Sequence, residues 1–377
     1  MGVIRLMMAM MVFASHELFF KTLLFKNSMF PLLLGMFLIS FSFIETGYIV
    51  AKQIELNKYK NIRGFYFARL NRLLLPCLSM LFLSAIFLNE PQHAQKYNVV
   101  ISEMFMNLNI TDKLIYFFSN LFLQQDFISL MSLVDNKLVF DPLKTTGGLD
   151  GLIILSAPHY WSCGGDFIFM ILFPLFLFNK QMKLFTLLIL SFGVFQWYIN
   201  YRFGFVTENN SDFILFWQHY PNIIFSIGIG YFFGSTKLNF NPLRKMEPIK
   251  QAITAFVIFF INVGILLVTY YYQLNYFILY LIILFNSALI CDLLWSYFFN
   301  KKYDLKARDV ATYLYVGQYL IYAVIYSFME PGTYTMIIAL VFGLICAYFI
   351  SSFLEKHNAR FIKYLNKKFN SETVKNV

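Results

Sequence analysis

Charged residues are scarce in this chain. Aspartate, glutamate, lysine and arginine together make up 13% of its 377 residues, whereas a typical soluble domain contains about 25% of them. Hydrophobic residues make up 59%, and the mean hydropathy is +0.62. So few charges do not cover the surface of a water-soluble domain of this length. The composition therefore excludes that class and predicts a polytopic membrane protein.

Cysteine and histidine are also sparse, and neither residue type is clustered. The four cysteines, Cys77, Cys163, Cys291 and Cys346, are scattered and include no C-x-x-C pair. This spacing supports no disulfide framework, so we predict that the thiols are small apolar packing groups. The chain also lacks the motifs G-x-x-x-x-G-K-S/T, G-x-S-x-G and H-E-x-x-H. We therefore expect no metal site and no tightly bound cofactor.

Long apolar runs dominate what is present, and they predict an all-α bundle of about ten transmembrane helices. The first run continues at once into further spans, so we expect no cleaved signal peptide. A long connection, over about 90–164, contains an apolar part at 112–133 that predicts an interfacial or re-entrant helix. The predicted spans are 3–25, 29–51, 73–89, 165–179, 184–200, 221–235, 249–271, 274–298, 310–329 and 333–354.

Lysines and arginines are distributed unevenly between the two sides that ten spans define. With the N-terminus inside, 23 of them fall on the cytoplasmic side and 7 on the opposite side. By the positive-inside rule, this asymmetry predicts that both termini are cytoplasmic. The net charge of +10 then follows from topology. Because the basic residues form no aromatic-interleaved soluble domain, we expect no nucleic-acid partner.

Arg5 and His16 are the most informative polar residues, because both lie in the first apolar run. Eleven residues at about 100° each bring the two side chains within about 20° of one another on a helix. The two residues then lie about 16 Å apart along one face, near half a bilayer thickness. Such residues are costly in lipid and usually mark a functional bundle interior. Taken singly, Arg5 could anchor the helix at the headgroups, and His16 could be a packing residue.

Three carboxylates also lie in or near apolar runs. Glu45 and Asp292 each lie one or two turns inside the membrane from the cytoplasmic end of a predicted span. Unpaired charge there is costly, so each is expected to meet an arginine or to be protonated, and Arg5 is at a suitable depth. Asp166 is either a helix cap stabilised by the helix dipole or a group that orients or deprotonates a partner near His16.

A basic segment at 61–72 contains Arg63, Arg69 and Arg72 ahead of the third span. Its simplest interpretation is a solvated loop that determines topology. Arg69 and Arg72 are three residues apart, so they share a helical face and could clamp phosphate groups with their planar guanidinium forks.

The order of these features resembles that in the membrane-bound acyltransferase-3 family. Arg5 and His16 match the family's opening motif of arginine, ten residues and histidine. The chain departs from the family pattern at Asp166 and Phe167, which replace two glutamates, and at Gln318, which replaces a histidine. Further similar segments are 37–43 (F-x-x-S-G-F, with Phe41 for glycine), 69–72 ahead of Pro76 (R-x-x-R-x-x-P, with the proline one residue late), 161–174 (W-S-L-S-V-E-E-Q-F-Y-x-x-x-P), 313–318 (S-L-Y-L-W-H) and 355–357 (E-K-P).

The resemblance implies a membrane O-acyltransferase that moves an acetyl or other acyl group to a hydroxyl of a cell-envelope glycan, such as O-antigen lipopolysaccharide or an exopolysaccharide. Acetyl-CoA would be the co-substrate rather than a bound cofactor. The resemblance implies catalytic roles for Arg5, His16 and Asp166, with His16 as a general base or a covalent acyl carrier. The residues expected to hold CoA are Arg63, Arg69 and Arg72, and those expected to bind the acceptor are Trp161, Ser162 and Glu45.

The resemblance further implies a membrane acyltransferase domain over 1–355 and a basic cytoplasmic tail over 356–377, in the membrane-only form without an added soluble domain. The expected location is the cell (inner) membrane, with acyl-CoA, a glycan or lipid-linked oligosaccharide, and membrane lipid as partners. The residues alone leave a second class open, a lipid-linked-sugar flippase or transporter, which would also explain ten spans and buried charges. A glycan polymerase is less suitable, because such proteins usually have larger external loops rich in arginine and histidine.

Overall fold

The computed structural model of the chain describes residues 2–20, 30–56, 62–88, 107–121, 131–141, 146, 149–150, 161–178, 181–203, 220–235, 246–272, 276–298, 302–330 and 332–375. Most of these residues are helical. The helices are α1 Gly2–Phe20, α2 Phe30–Glu55, α3 Ile62–Leu88, α4 Ile110–Leu121, α5 Trp161–Phe178, α6 Met182–Phe203, α7 Tyr220–Ser235, α8 Pro248–Tyr272, α9 Tyr276–Phe298, α10 Lys302–Phe328 and α11 Thr333–Lys375. Three short strands, β1 Met131–Val134, β2 Lys137–Phe140 and β3 Leu149–Asp150, lie between α4 and α5.

A long helix lies at the position of each predicted span, and the all-α prediction is confirmed for this bundle. One predicted boundary is wrong, because the basic segment interpreted as a loop is helical from Ile62 onward. α11 continues through the predicted tail as far as Lys375, and the division of the chain at residue 355 stays a prediction. Among the described residues, two helical segments, Pro248–Val268 and Tyr334–His357, are long and apolar enough to cross a membrane. The count of ten spans stays a prediction.

Glycines allow α2 and α7 to pack with their backbones in close approach. A Cβ atom on Gly47 would lie 1.8 Å from the carbonyl oxygen of Ile227, and one on Gly230 would lie 1.9 Å from that of Ile44. Small residues at helix contacts are how membrane helices approach closely, since lipid offers no hydrophobic driving force between them. The close contact holds α2 in place, and α2 supplies several residues of the cavity described below.

The helix directions agree with an alternating path through a membrane. Gly2 lies against the backbone of Asp304, and further along both helices the Tyr322 hydroxyl donates a hydrogen bond to the Phe13 carbonyl. α1 and α10 therefore run parallel. If consecutive spans alternate in direction across the membrane, the first and the ninth span must run in the same direction.

The segment between α3 and α5 contains a small sheet that the sequence pattern did not predict. β1 pairs with β2 and with β3, both antiparallel. The β1–β2 turn places Asp135 and Asn136 at φ 49° and 59°, the left-handed values of a two-residue hairpin turn. A helix over all of 112–133 is wrong, because α4 ends at Leu121 and residues 131–134 are a strand. α4 exposes the apolar side chains of Ile110, Leu114, Phe117, Phe118 and Leu121 along one face.

Candidate active site

A cavity of about 220 Å³ lies between α1, α2, α3, α5 and α10, with single residues from α9 and α11. One part of its wall is polar and the other is apolar. The apolar part includes Met8, Ala9, Val12, Leu38, Met170 and Val316. The charged and amide side chains in the wall are Arg5, Glu45, Gln53, Arg69, Asp166, Asp304, Arg308, Asp309 and Glu355.

Arg5 is held on the cavity wall by two residues of α2. Its Nε donates a hydrogen bond to Glu45 Oε2 at 2.9 Å, and its Nη2 donates to Thr46 Oγ1 at 2.9 Å. The Glu45 side chain is fully buried, so its charge is stable in the fold only because Arg5 compensates it. The prediction that these two residues pair is confirmed. Glu45 Oε1 is buried without a hydrogen-bond partner among the described residues, which leaves one acceptor next to the cavity.

Asp292, the other deep carboxylate, belongs to a different environment. Its Oδ1 accepts a hydrogen bond from the Tyr48 hydroxyl at 2.6 Å. The residues that line the cavity do not include it. Glu45 and Asp292, for which the sequence predicts similar positions in the membrane, therefore lie in different environments.

Arg69 also reaches the cavity, from the second turn of α3. It is buried, and its Nη2 donates a hydrogen bond to Gln53 Oε1 at 2.5 Å. Arg63 is exposed on the first turn of the same helix. The side chain of Arg72 lies outside the described part of the chain. Of the three arginines predicted to hold CoA, the structure brings Arg69 to the cavity and leaves Arg63 on the surface.

Asp166 lines the cavity from α5. Because α5 begins at Trp161, Asp166 lies in the second turn and the helix-cap interpretation is wrong. Its Oδ1 is buried without a hydrogen-bond partner among the described residues, within electrostatic reach of Arg5 and Arg69.

α5 begins deep in the bundle. Just past its midpoint, the Ile171 carbonyl accepts a hydrogen bond from the Tyr66 hydroxyl on the second turn of α3. Near its amino end, Cys163 contacts Cys77 in the middle of α3. The amino end of α5, whose first N–H groups have no acceptor within the helix and which is the positive end of the helix dipole, thus lies beside the middle of α3.

His16 lies in α1, and its side chain is outside the described part of the chain. It is four residues after Val12, which lines the cavity. Residues four apart share a helical face, so the backbone places His16 on the cavity-facing stripe, one turn beyond Val12. Trp161 and Ser162 form the first turn of α5, and their side chains are likewise outside the described part.

α10 provides the opposite wall. Arg308 pairs with Asp309 at 2.7 Å, and Asp304 accepts a hydrogen bond from the backbone N–H of Val3 at 3.0 Å. The second contact anchors the start of α1. Further along α10, Gln318 is 2% exposed, and neither polar atom of its amide has a hydrogen-bond partner among the described residues.

Negative groups outnumber positive groups on the cavity wall. It contains five carboxylates and three guanidinium groups. Arg5 and Arg308 each pair with a carboxylate, whereas Arg69 donates to the neutral amide of Gln53. The hydrogen-bond partner of Arg69 is therefore neutral, while Asp166 lies within electrostatic reach of its charge. Sequence reasoning missed Gln53, because nothing in the chain around it distinguishes a cavity residue from an ordinary polar helix end.

The described residues include no group of three histidine, cysteine, aspartate or glutamate side chains that could hold a metal ion. A polar end with an arginine held by an amide suits a phosphate group, and an apolar end suits an acyl chain.

Comparison with known proteins relates the chain to a protein family. A family model described as an acyltransferase domain matches residues 2–356, nearly the whole chain. No curated protein and no solved structure matches the chain.

Proposed function

The chain belongs to the acyltransferase-3 family and is a membrane acyltransferase, and on this basis we propose that it moves an acetyl group from acetyl-CoA to a hydroxyl of a cell-envelope glycan. The observation that carries the proposal is the cavity itself. It joins a polar end, with Arg5 and Arg69, to an apolar end on the face of α1 that continues to His16. The family membership favours acyl transfer over the lipid-linked-sugar flippase or transporter.

The donor is proposed to enter at the polar end. CoA is polar and phosphorylated, so its phosphates need cations in a site that also contains carboxylates. Arg69 is suited to this role because its hydrogen-bond partner is an amide, and Arg72 follows on the same face of α3. The pantetheine arm would then extend along the apolar wall, which includes Met8, Val12 and Val316.

The chemical step is proposed to take place further along α1. The acceptor hydroxyl gives its proton to His16, and its oxygen attacks the thioester carbonyl carbon. The carbon–sulfur bond breaks, and the sulfur leaves as CoA thiolate, which takes up a proton. If His16 instead carries the acetyl group covalently, the kinetics should be ping-pong. The acceptor is proposed to be bound or oriented from the amino end of α5 by Trp161, Ser162 and Asp166. Glu45 is proposed to contact it through Oε1, the oxygen that does not bond to Arg5.

The proposed location is the cell (inner) membrane, with both termini in the cytoplasm. The 23-to-7 distribution of basic residues supports this orientation. Reporter fusions at Lys144 and Lys367 should report the outside and the inside, respectively. Two reporters on one side would reject the span count.

The test uses a deletion strain complemented with the wild type or with His16→Ala. Mass spectrometry of the surface glycan should show acetylation with the wild type and a loss on the order of 10² to 10⁴ in rate with the variant. Membrane protein level should be equal in both strains. His219→Ala is the matched control, since no observation connects His219 with the Arg5 face, and it should be milder. Unchanged glycan mass on deletion of the wild type would reject the proposed function, and normal acetylation with His16→Ala would reject the role of His16.

A further inference from the structure

The amide of Gln318 is the most unusual buried polar group in the described part of the chain. It is 2% exposed, and both its donor nitrogen and its acceptor oxygen have no hydrogen-bond partner there. A buried amide with neither atom bonded destabilises a fold, because the desolvation of both atoms is uncompensated. A buried polar group without a hydrogen-bond partner needs an explanation. One explanation is a bound molecule that forms the missing hydrogen bonds.

The position of Gln318 on α10 is suitable for contact with a molecule in the cavity. It lies seven residues after Ala311, which lines the cavity. Seven residues return a helix to within about 20° of the same direction. Four residues further on, Tyr322 donates a hydrogen bond to the Phe13 carbonyl of α1. Gln318 is therefore on the side of α10 that faces α1, just beyond the apolar end of the cavity.

The distance between Arg69 and Gln318 along the bundle also matches the length of the proposed acyl donor. Gly317, next to Gln318, packs against Met80 of α3, whose sulfur would lie 3.4 Å from a Cβ atom at that glycine. Met80 is eleven residues after Arg69, which corresponds to about 16 Å along the helix. This is the reach of an extended pantetheine arm. Phosphates at Arg69 would place the thioester at the level of Gln318.

We infer that Gln318 is a catalytic residue that binds the thioester carbonyl of the acyl donor through its side-chain N–H, an inference that rests on the proposed function. When the acceptor oxygen attacks the carbonyl carbon, the carbonyl electron pair moves onto oxygen, and the Gln318 N–H stabilises this oxyanion. The pair returns when the carbon–sulfur bond breaks and CoA thiolate leaves. A neutral amide is suited to this role, because it donates a hydrogen bond without exchanging a proton.

The test compares Gln318→Leu, Gln318→His and Tyr313→Phe. Membranes with each variant receive radiolabelled acetyl-CoA, and the initial rate of label transfer to the glycan gives kcat and the KM for the donor. Gln318→Leu should lower kcat by about 10²- to 10³-fold, the effect of removing one oxyanion donor. Its melting temperature should not fall, because leucine removes a buried amide that has no hydrogen-bond partner among the described residues. Gln318→His keeps an N–H donor and should retain part of the activity.

Tyr313→Phe is the matched control. Its hydroxyl is also buried without a hydrogen-bond partner among the described residues, on the same helix but about 140° away from Gln318 around the helix axis. It should leave kcat unchanged. Full activity of Gln318→Leu, or a fall in its melting temperature that matches its loss of activity, would overturn the inference. Absence of transfer by the wild type would reject the proposed function itself.

Discussion

Two arginines reach the same cavity, but α2 provides them with different hydrogen-bond partners. Arg5 donates to the carboxylate of Glu45 and to the hydroxyl of Thr46, whereas Arg69 donates to the amide of Gln53. Glu45 and Gln53 lie eight residues apart on one helix. The hydrogen-bond partner of Arg5 on α2 includes a full negative charge, whereas that of Arg69 is a neutral amide, and Asp166 lies within electrostatic reach of both arginines.

The two hydrogen-bond partners suit the two arginines to different roles. A guanidinium paired with a buried carboxylate adds rigidity and fixed geometry but little net field. An amide carries only a dipole, so it positions a guanidinium without itself adding a full opposing charge. Under the proposed function, Arg5 is expected to support the structure of the reaction site, and Arg69 remains the proposed contact for the donor phosphates.

The largest effect is expected from Arg5→Ala. It leaves Glu45 buried without its cation, which typically destabilises a protein by about 3–5 kcal/mol. Acyl transfer should be abolished and the melting temperature should fall. Arg5→Lys should rescue only partly, since one ammonium group does not reproduce the separate bonds that Nε and Nη2 make to two residues. Full rescue by lysine, in acetylation and melting temperature, would contradict this account of Arg5.

Gly230→Ala should damage both arginine sites together. The added Cβ atom would lie 1.9 Å from the Ile44 carbonyl oxygen, so α2 must shift, at a cost of about 1–3 kcal/mol. Because α2 carries both Glu45 and Gln53, kcat and donor KM should change together. Gly264→Ala is the control, since nothing lies within 4 Å of its added Cβ atom. Equal activity of the two variants would show that α2 is not the shared support.

Gln53→Glu should affect the donor alone. The side chain keeps its shape and its bond to Arg69 but adds a negative charge at the 2.5 Å contact. The KM for acetyl-CoA should rise about tenfold, which corresponds to about 1.4 kcal/mol. The melting temperature should stay equal or increase, and kcat should change little. A purely structural role for Gln53 predicts an unchanged KM, so steady-state kinetics on membranes distinguishes the two.

The smallest effect is expected from Arg63→Ala. Arg63 is exposed at the start of α3, and exposed charges contribute about 0–1 kcal/mol to an ionic contact. The donor KM should therefore change less than about fivefold, well below the change in Arg69→Ala. A larger change for Arg63 than for Arg69 would reverse the assignment of the donor site.

Part of this arrangement can be predicted from the order of residues in the chain. The positions of the long helices follow from apolar runs, because each run must satisfy its own backbone in lipid. The common face of Arg5 and His16 follows from helical periodicity alone. The pairing of Arg5 with Glu45 follows from the cost of an unpaired charge at equal depth. The short hairpin at 131–140 was not predicted, since its alternating pattern covers only four residues on each side of a turn.

The sequence by itself determined the helices, the stripe on α1 and the family, because each depends on neighbouring residues or on motif order. Three relations depend on how the helices pack. Gln53 bonds to Arg69, and Asp166 reaches the cavity from a helix that begins deep in the bundle. The amide of Gln318 is buried without a bonding partner among the described residues. These relations join residues far apart in the chain. Their distances depend on how glycine contacts and side-chain packing orient whole helices, which no local pattern encodes.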